Sequence, residues 1–122
     1  MDAGNLVERY IETWNETDAE ARRSAIASLW AEDARYVDPL ASVSGHDEIS
    51  ALMGSVQERA PGYVFRLLDE RVDAHHNLVR FSWELVPASG GEPLAVGFDV
   101  AVTEEDGRIG RILGFLDKAP GA

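Results

Sequence analysis

Apolar residues recur along this chain first at helical spacing and then at strand spacing. Leu6, Tyr10 and Trp14 stand four apart with Val7 and Ile11 beside them, which lines all five along one side of a helix in a stripe roughly 100° wide. Polar residues 15–18 break the pattern, and Asp18 or Thr17 can cap a second helix over 18–30 with Ala25, Ile26, Leu29 and Trp30 on its buried side. Residues 34–38 read as a short extended piece, because Pro39 biases Asp38 away from the helical region. Residues 40–44 read as a loop. Ser44 followed by Asp47 and Glu48 then opens a third helix, with Ile49, Leu52, Met53 and Val56 as its stripe and Ala60-Pro61-Gly62 as its stop.

From Tyr63 the period changes to two. Strands are predicted over 63–72 and 78–86; in the second, Val79, Phe81, Trp83 and Leu85 alternate with Arg80, Ser82 and Glu84. A turn at 88–92 leads to a hairpin over 93–116 that reverses at Asp106-Gly107, a dipeptide suited to the positive φ of a tight turn. Before the reversal, Leu94, Val96, Phe98, Val100 and Val102 share one face, and Ala95, Gly97, Asp99 and Ala101 share the other. A two-residue loop sets Glu105 opposite Arg108 and, counting back, Asp99 opposite Gly114. One carboxylate among the smallest side chains available reads as the floor of a pocket. Helices first and a meander afterwards predict an α+β fold, with three N-terminal helices packed on a curved antiparallel sheet.

At 122 residues the chain is expected to be a single domain over 1–122 with a substantial core. Its net charge of −11 argues against nucleic acid and anionic membrane surfaces as partners. Without cysteine there is no thiolate nucleophile, thiolate metal site or disulfide framework. The absence of a long apolar run and of a signal-peptide pattern makes a cytoplasmic location the expectation. His46, His75 and His76 do not fall at metal-ligand spacing, so no metal is expected. Neither a nucleophile elbow nor a glycine-rich phosphate loop is present.

Asp99 is therefore the leading candidate for chemistry. Asp38, in Val37-Asp38-Pro39, is also a natural turn opener. Tyr10 lies on a buried stripe where tyrosine is more often core than catalyst, yet a buried phenol still needs a polar partner. Trp14, Trp30, Tyr36, Phe65, Trp83 and Phe115 are core residues by type, and are candidates to line an apolar cavity.

Two stretches carry a resemblance across essentially the whole chain. They are Trp30-Ala31-Glu32-Asp33-Ala34-Arg35-Tyr36-Val37-Asp38-Pro39, and Phe98-Asp99 through Asp106-Gly107-Arg108-Ile109 to Gly114-Phe115. With the element order, they resemble the NTF2-like superfamily, in particular its SnoaL-like and ketosteroid-isomerase-like branches. The resemblance implies a cone enclosing a pocket, a small hydrophobic molecule as partner and a homodimer through the sheet. It also implies enolisation without a cofactor. Ketosteroid isomerases use an aspartate base with a tyrosine and a protonated aspartic acid as oxyanion hole, and Asp38, Tyr10 and Asp99 match these in turn. Polyketide cyclases of the superfamily would use Asp99 as acid–base, and other members only bind ligands. The second helix is about a turn longer than in the isomerases. Epoxide hydrolases of the superfamily need an Asp-Arg-Asp set that is missing here, so hydrolysis is disfavoured.

Overall fold

A computed structural model describes residues 2–119, the side chain of Glu70 excepted. The elements in order are α1 (Ala3–Asn15), α2 (Ala19–Leu29), β1 (Trp30–Val37), β2 (Ser42–Ser44), α3 (His46–Arg59), β3 (Tyr63–His75), β4 (Leu78–Pro87), β5 (Ala95–Thr103) and β6 (Ile109–Lys118). The six strands form one curved, open sheet in the order β2-β1-β6-β5-β4-β3. The meander from β3 to β6 is antiparallel as expected, whereas β1 joins β6 in parallel. No helix among the described residues is long and apolar enough to cross a membrane.

Local chemistry explains the helix ends. Asp2 caps α1 by accepting from the Asn5 amide at 2.7 Å, and Asp18, rather than Thr17, caps α2 by accepting from Ala21 at 2.9 Å. At α3 the cap is Gly45, at φ 82°, which supplies no side-chain bond. Glu48 instead reaches back to accept from the Ser44 amide at 3.0 Å. The second helix ends one residue before Trp30, which opens a strand that the helical pattern had absorbed. Residues 42–44, expected as loop, add a short strand to the edge of the sheet.

The helices lie against one face of the sheet. Leu6, Val7, Tyr10 and Trp14 of α1 are buried, as are Ile26 and Leu29 of α2 and Ile49 and Met53 of α3. They meet Val79, Phe81, Trp83 and Leu85 of β4, Ala95, Asp99 and Ala101 of β5, and Ile109 and Ile112 of β6. Asn15, at the end of α1, pairs with the backbone of edge strand β3. It accepts from the Phe65 amide at 2.8 Å and donates to the Phe65 carbonyl at 2.9 Å, satisfying ladder groups that no further strand reaches. Arg22, which the sequence pattern did not place in the interior, is buried. Its guanidinium donates to Ser50 Oγ, the Glu16 carbonyl and Gln57 Oε1, so it ties the α1–α2 turn to α3.

Register decides where Asp99 points. The reversal between β5 and β6 is not the simple two-residue loop of the sequence reading. Glu104 and Arg108 close it, and Thr103 pairs with Ile109. A bulge then leaves Gly110 unpaired, because Val102 pairs with Arg111. The two offsets cancel, and Asp99 does lie opposite Gly114. A larger irregularity interrupts β1 between Trp30 and Arg35. There His46 Nε2 donates to the carbonyls of Trp30 at 3.1 Å and Ala31 at 2.9 Å, with Arg108 also on Trp30 O at 3.4 Å.

Candidate active site

Asp99 lies on the inner face of β5, only 2% exposed. Ala101 and Gly97 flank it there, and none of these neighbours is bulky enough to cover it. Longer side chains from other elements do so. Tyr10 of α1 donates its hydroxyl to Asp99 Oδ2 at 2.6 Å, and Trp83 of β4 donates its indole N–H to Oδ1 at 3.1 Å. Burial is the main influence on this carboxyl and pushes its pKa up to about 6. The bonds from Tyr10 and Trp83 oppose that rise, and the nearby charge of Asp38 adds to it. Near neutral pH Asp99 is thus poised between proton acceptor and proton donor.

Asp38 follows β1 directly and is half-buried. Its Oδ1 accepts from the amides of Leu40 and Ala41, both at 2.8 Å, and its Oδ2 accepts from Tyr36 at 2.6 Å. The turn-opener reading of Asp-Pro is therefore correct as structure, and it also sets a second carboxyl group near Asp99. A Cβ placed on Gly114 would lie 2.9 Å from Asp99 Oδ1 and 3.2 Å from Asp38 Cβ. The two aspartates thus flank a single glycine, each with its own tyrosine. Both phenols are raised well above their usual pKa, chiefly by burial, then by the charge of Asp99. They stay neutral and donate.

The structure brings Tyr10, Asp38 and Asp99 together, Tyr10 by a hydrogen bond to Asp99 and Asp38 across Gly114. It also joins Trp14, Tyr36, Phe65 and Trp83 into one aromatic wall, with successive ring centroids of Tyr36, Trp14, Phe65 and Trp83 at 5.6, 5.2 and 5.4 Å. Trp30 stands apart from that wall, 5.9 Å from the Tyr10 ring, and its buried Nε1 has no hydrogen-bond partner. Phe115 does not belong with the others. Strand alternation turns it to the outer face, where it is 52% exposed and stacks on Phe98 at 4.9 Å. Phe81, not singled out from sequence, packs edge-on against Tyr10 at 5.3 Å. Its place opposite Asp99 in the ladder was the available signal.

Two surface hollows lie away from the aspartates. An open groove of about 490 Å³ is lined by Asp73, Ala74, His75, Leu78, Arg80 and Val100. A smaller one of about 140 Å³ lies along Arg9, Glu12, Thr13, Glu16 and Ala25. Among the described residues no three His, Asp or Glu side chains gather as a metal site.

The three helices on a curved, open sheet are the fold of the SnoaL-like class. The family model for the SnoaL-like domain matches residues 7–112, and the chain belongs to that family. It is similar to the solved structure of a proposed isomerase of the SnoaL-like family from Agrobacterium tumefaciens. The two share 40% identity over 93% of this chain and 95% of that one, at a TM-score of 0.87. A proposed ketosteroid isomerase from Kribbella flavida shares the fold at 22% identity, over 98% of this chain and 81% of that one, with a TM-score of 0.70. So does a proposed polyketide cyclase from Sinorhizobium meliloti, at 19% identity over 90% and 93% and a TM-score of 0.68. No protein of curated description matches the sequence.

Proposed function

We propose that this chain is a cofactor-independent enolisation enzyme that moves a proton next to the carbonyl of a small hydrophobic ketone. The observation that carries this reading is the buried Asp99 with Tyr10 at 2.6 Å, set beside Asp38 across Gly114. In the reaction, Asp38 removes the proton α to the carbonyl, and the electron pair of that C–H bond becomes the enolate. Tyr10 donates to the developing oxyanion. Asp99 adds a second donor when protonated, which its raised pKa favours below about pH 6. A carbonyl that engages the Tyr10 hydroxyl takes it from Asp99, removing a bond that favours the charged form, so binding itself promotes protonation of Asp99. Returning the proton from Asp38 to the γ-carbon completes an isomerisation with no net change of atoms.

The aromatic wall suits an apolar substrate, and its side chains must part to admit one. Asp38 turns toward Tyr36 rather than toward Arg35 or Arg80, the latter pairing with Asp73 at 3.2 Å, which favours chemistry over simple ligand binding. A cyclase reading is the second choice, favoured by one observation: both oxygens of Asp99 accept hydrogen bonds, as an acid–base carboxylate would. On either reading the outer sheet face, with Phe115 exposed against Phe98, is suited to pairing with a second copy.

The test is conversion of a β,γ-unsaturated ketosteroid to its conjugated enone, followed by ultraviolet absorbance, in wild type, Asp38→Asn and Asp99→Ala. The expected result is turnover that falls roughly 10²–10⁴-fold without the base and falls in Asp99→Ala as well. Turnover that is absent, or unchanged by both substitutions, removes the isomerase reading. Cyclisation assays and a search for co-purifying ligand would then decide between the remaining two.

A further inference from the structure

Strand β4 puts Trp83 directly opposite Gly97 of β5, two residues before Asp99 on the same face. A Cβ on Gly97 would lie 2.6 Å from Trp83 Cζ2, 3.0 Å from Cε2 and 2.3 Å from the Phe115 carbonyl. Only glycine leaves the slot in which the indole lies across β5. From that slot the indole N–H reaches Asp99 Oδ1 at 3.1 Å, while the ring is backed edge-on by Phe65 at 5.4 Å.

We infer that Trp83, seated in the Gly97 slot, is a positioning residue that orients the Asp99 carboxyl and sets its proton affinity. The groups facing Asp99 are few. Tyr10 comes from α1, Trp83 from β4, and Tyr36 and Asp38 from β1 and the turn after it. Gly114 on β6 presents no side chain. The donors Tyr10 and Trp83 therefore hold one carboxyl oxygen each, from two different elements. A carbonyl that draws the Tyr10 hydroxyl away leaves Trp83 as the tether that keeps Asp99 aimed. The functional weight of this inference rests on the enolisation reading, but its geometry does not.

The experiment uses no substrate. Asp99 is followed by carbon NMR of its labelled carboxyl through a pH titration, with Asp99→Asn to assign the signal. Wild type should titrate near pH 6. Trp83→Phe, which keeps an aromatic ring and removes the N–H, should move the midpoint up by roughly one pH unit, about tenfold in proton affinity. An unmoved midpoint in a folded Trp83→Phe overturns the inference. Should that variant fail to fold, the wild-type Trp83 indole proton serves instead. Its resonance should shift with the Asp99 midpoint and stay flat in Asp99→Asn, and an indole signal indifferent to Asp99 overturns the inference equally. Loss of the ketosteroid activity claim would leave both readouts intact.

Discussion

Asp38 and Asp99 are the same residue type against the same glycine, each accepting from a tyrosine at 2.6 Å. Their settings nevertheless differ. Asp38 is half-buried at the mouth of a turn, and two backbone amides hold it. Asp99 is buried on a strand, where its remaining oxygen accepts from an indole N–H. Amides at a turn favour the charged carboxylate, whereas burial works against it. The same side chain thus meets two settings, one tied to a turn and one buried, and in the buried one its proton affinity is raised.

The sharpest break in this comparison comes from the two tyrosines. On the proposed enolisation, Tyr10→Phe removes a donor to the oxyanion, and kcat should fall roughly 10²–10³-fold. Tyr36→Phe leaves Asp38 with both amide bonds, so its effect should be several-fold at most. Steady-state kinetics on the two variants side by side would check this. Equal losses would mean that the two pairs are interchangeable and that the roles given to the aspartates are wrong.

Stability against pH gives the next test. The folded pKa of Asp99, about 6, lies above its ordinary value of 3.8, so between these values the native state binds more protons than the unfolded chain. Stability contributed by this group is therefore present in full below about pH 4 and is lost as pH rises through 6, by roughly 3 kcal/mol. Asp106, held low chiefly by its hydrogen bonds with Arg108, has the opposite sign. The quantity to measure is accordingly the difference between wild type and Asp99→Asn in urea unfolding from pH 4 to 7. That difference should move in favour of the variant as pH rises, and a flat difference would refute the raised pKa.

Much of this arrangement was legible in the chain. The alternation in 95–101 singled out Asp99 because its neighbours are small, and the i, i+4 stripe placed Tyr10 over the sheet. What the pattern could not supply was long-range. On β5 the bulkier residues, Val96, Phe98, Val100 and Val102, face outward and are only half-buried, while the small residues face the core. The core space is filled by aromatic side chains from α1 and β4, which local periodicity along β5 cannot register. For the same reason Phe115 was grouped with the cavity, although its parity with Gly114 turns it to the other face. Trp30 was read as the end of a helix because its spacing from Ile26 is helical, yet pairing with Ile109 draws it into a parallel strand. Arg22 is buried by partners, Ser50 and Gln57, that no sequence spacing announces.

Gly114 joins the two aspartates, and a single methyl there tests whether their closeness matters. In most strands Gly→Ala gains stability, because alanine loses less backbone freedom on folding. Here the new Cβ would meet Asp99 Oδ1 at 2.9 Å, Asp38 Cβ at 3.2 Å and the Val37 carbonyl at 3.5 Å. The backbone contact is ordinary, but the first two lie inside normal separation, and both belong to side chains already held by tyrosines. Gly114→Ala should therefore cost about 1–3 kcal/mol, read as a lowered denaturant midpoint. It should also push Asp99 away from Asp38, weakening the charge that raises its pKa, so the Asp99 titration midpoint should fall. A variant that is stabilised and titrates as wild type would mean the aspartates can separate without consequence, and that their placement on either side of Gly114 is incidental to the site.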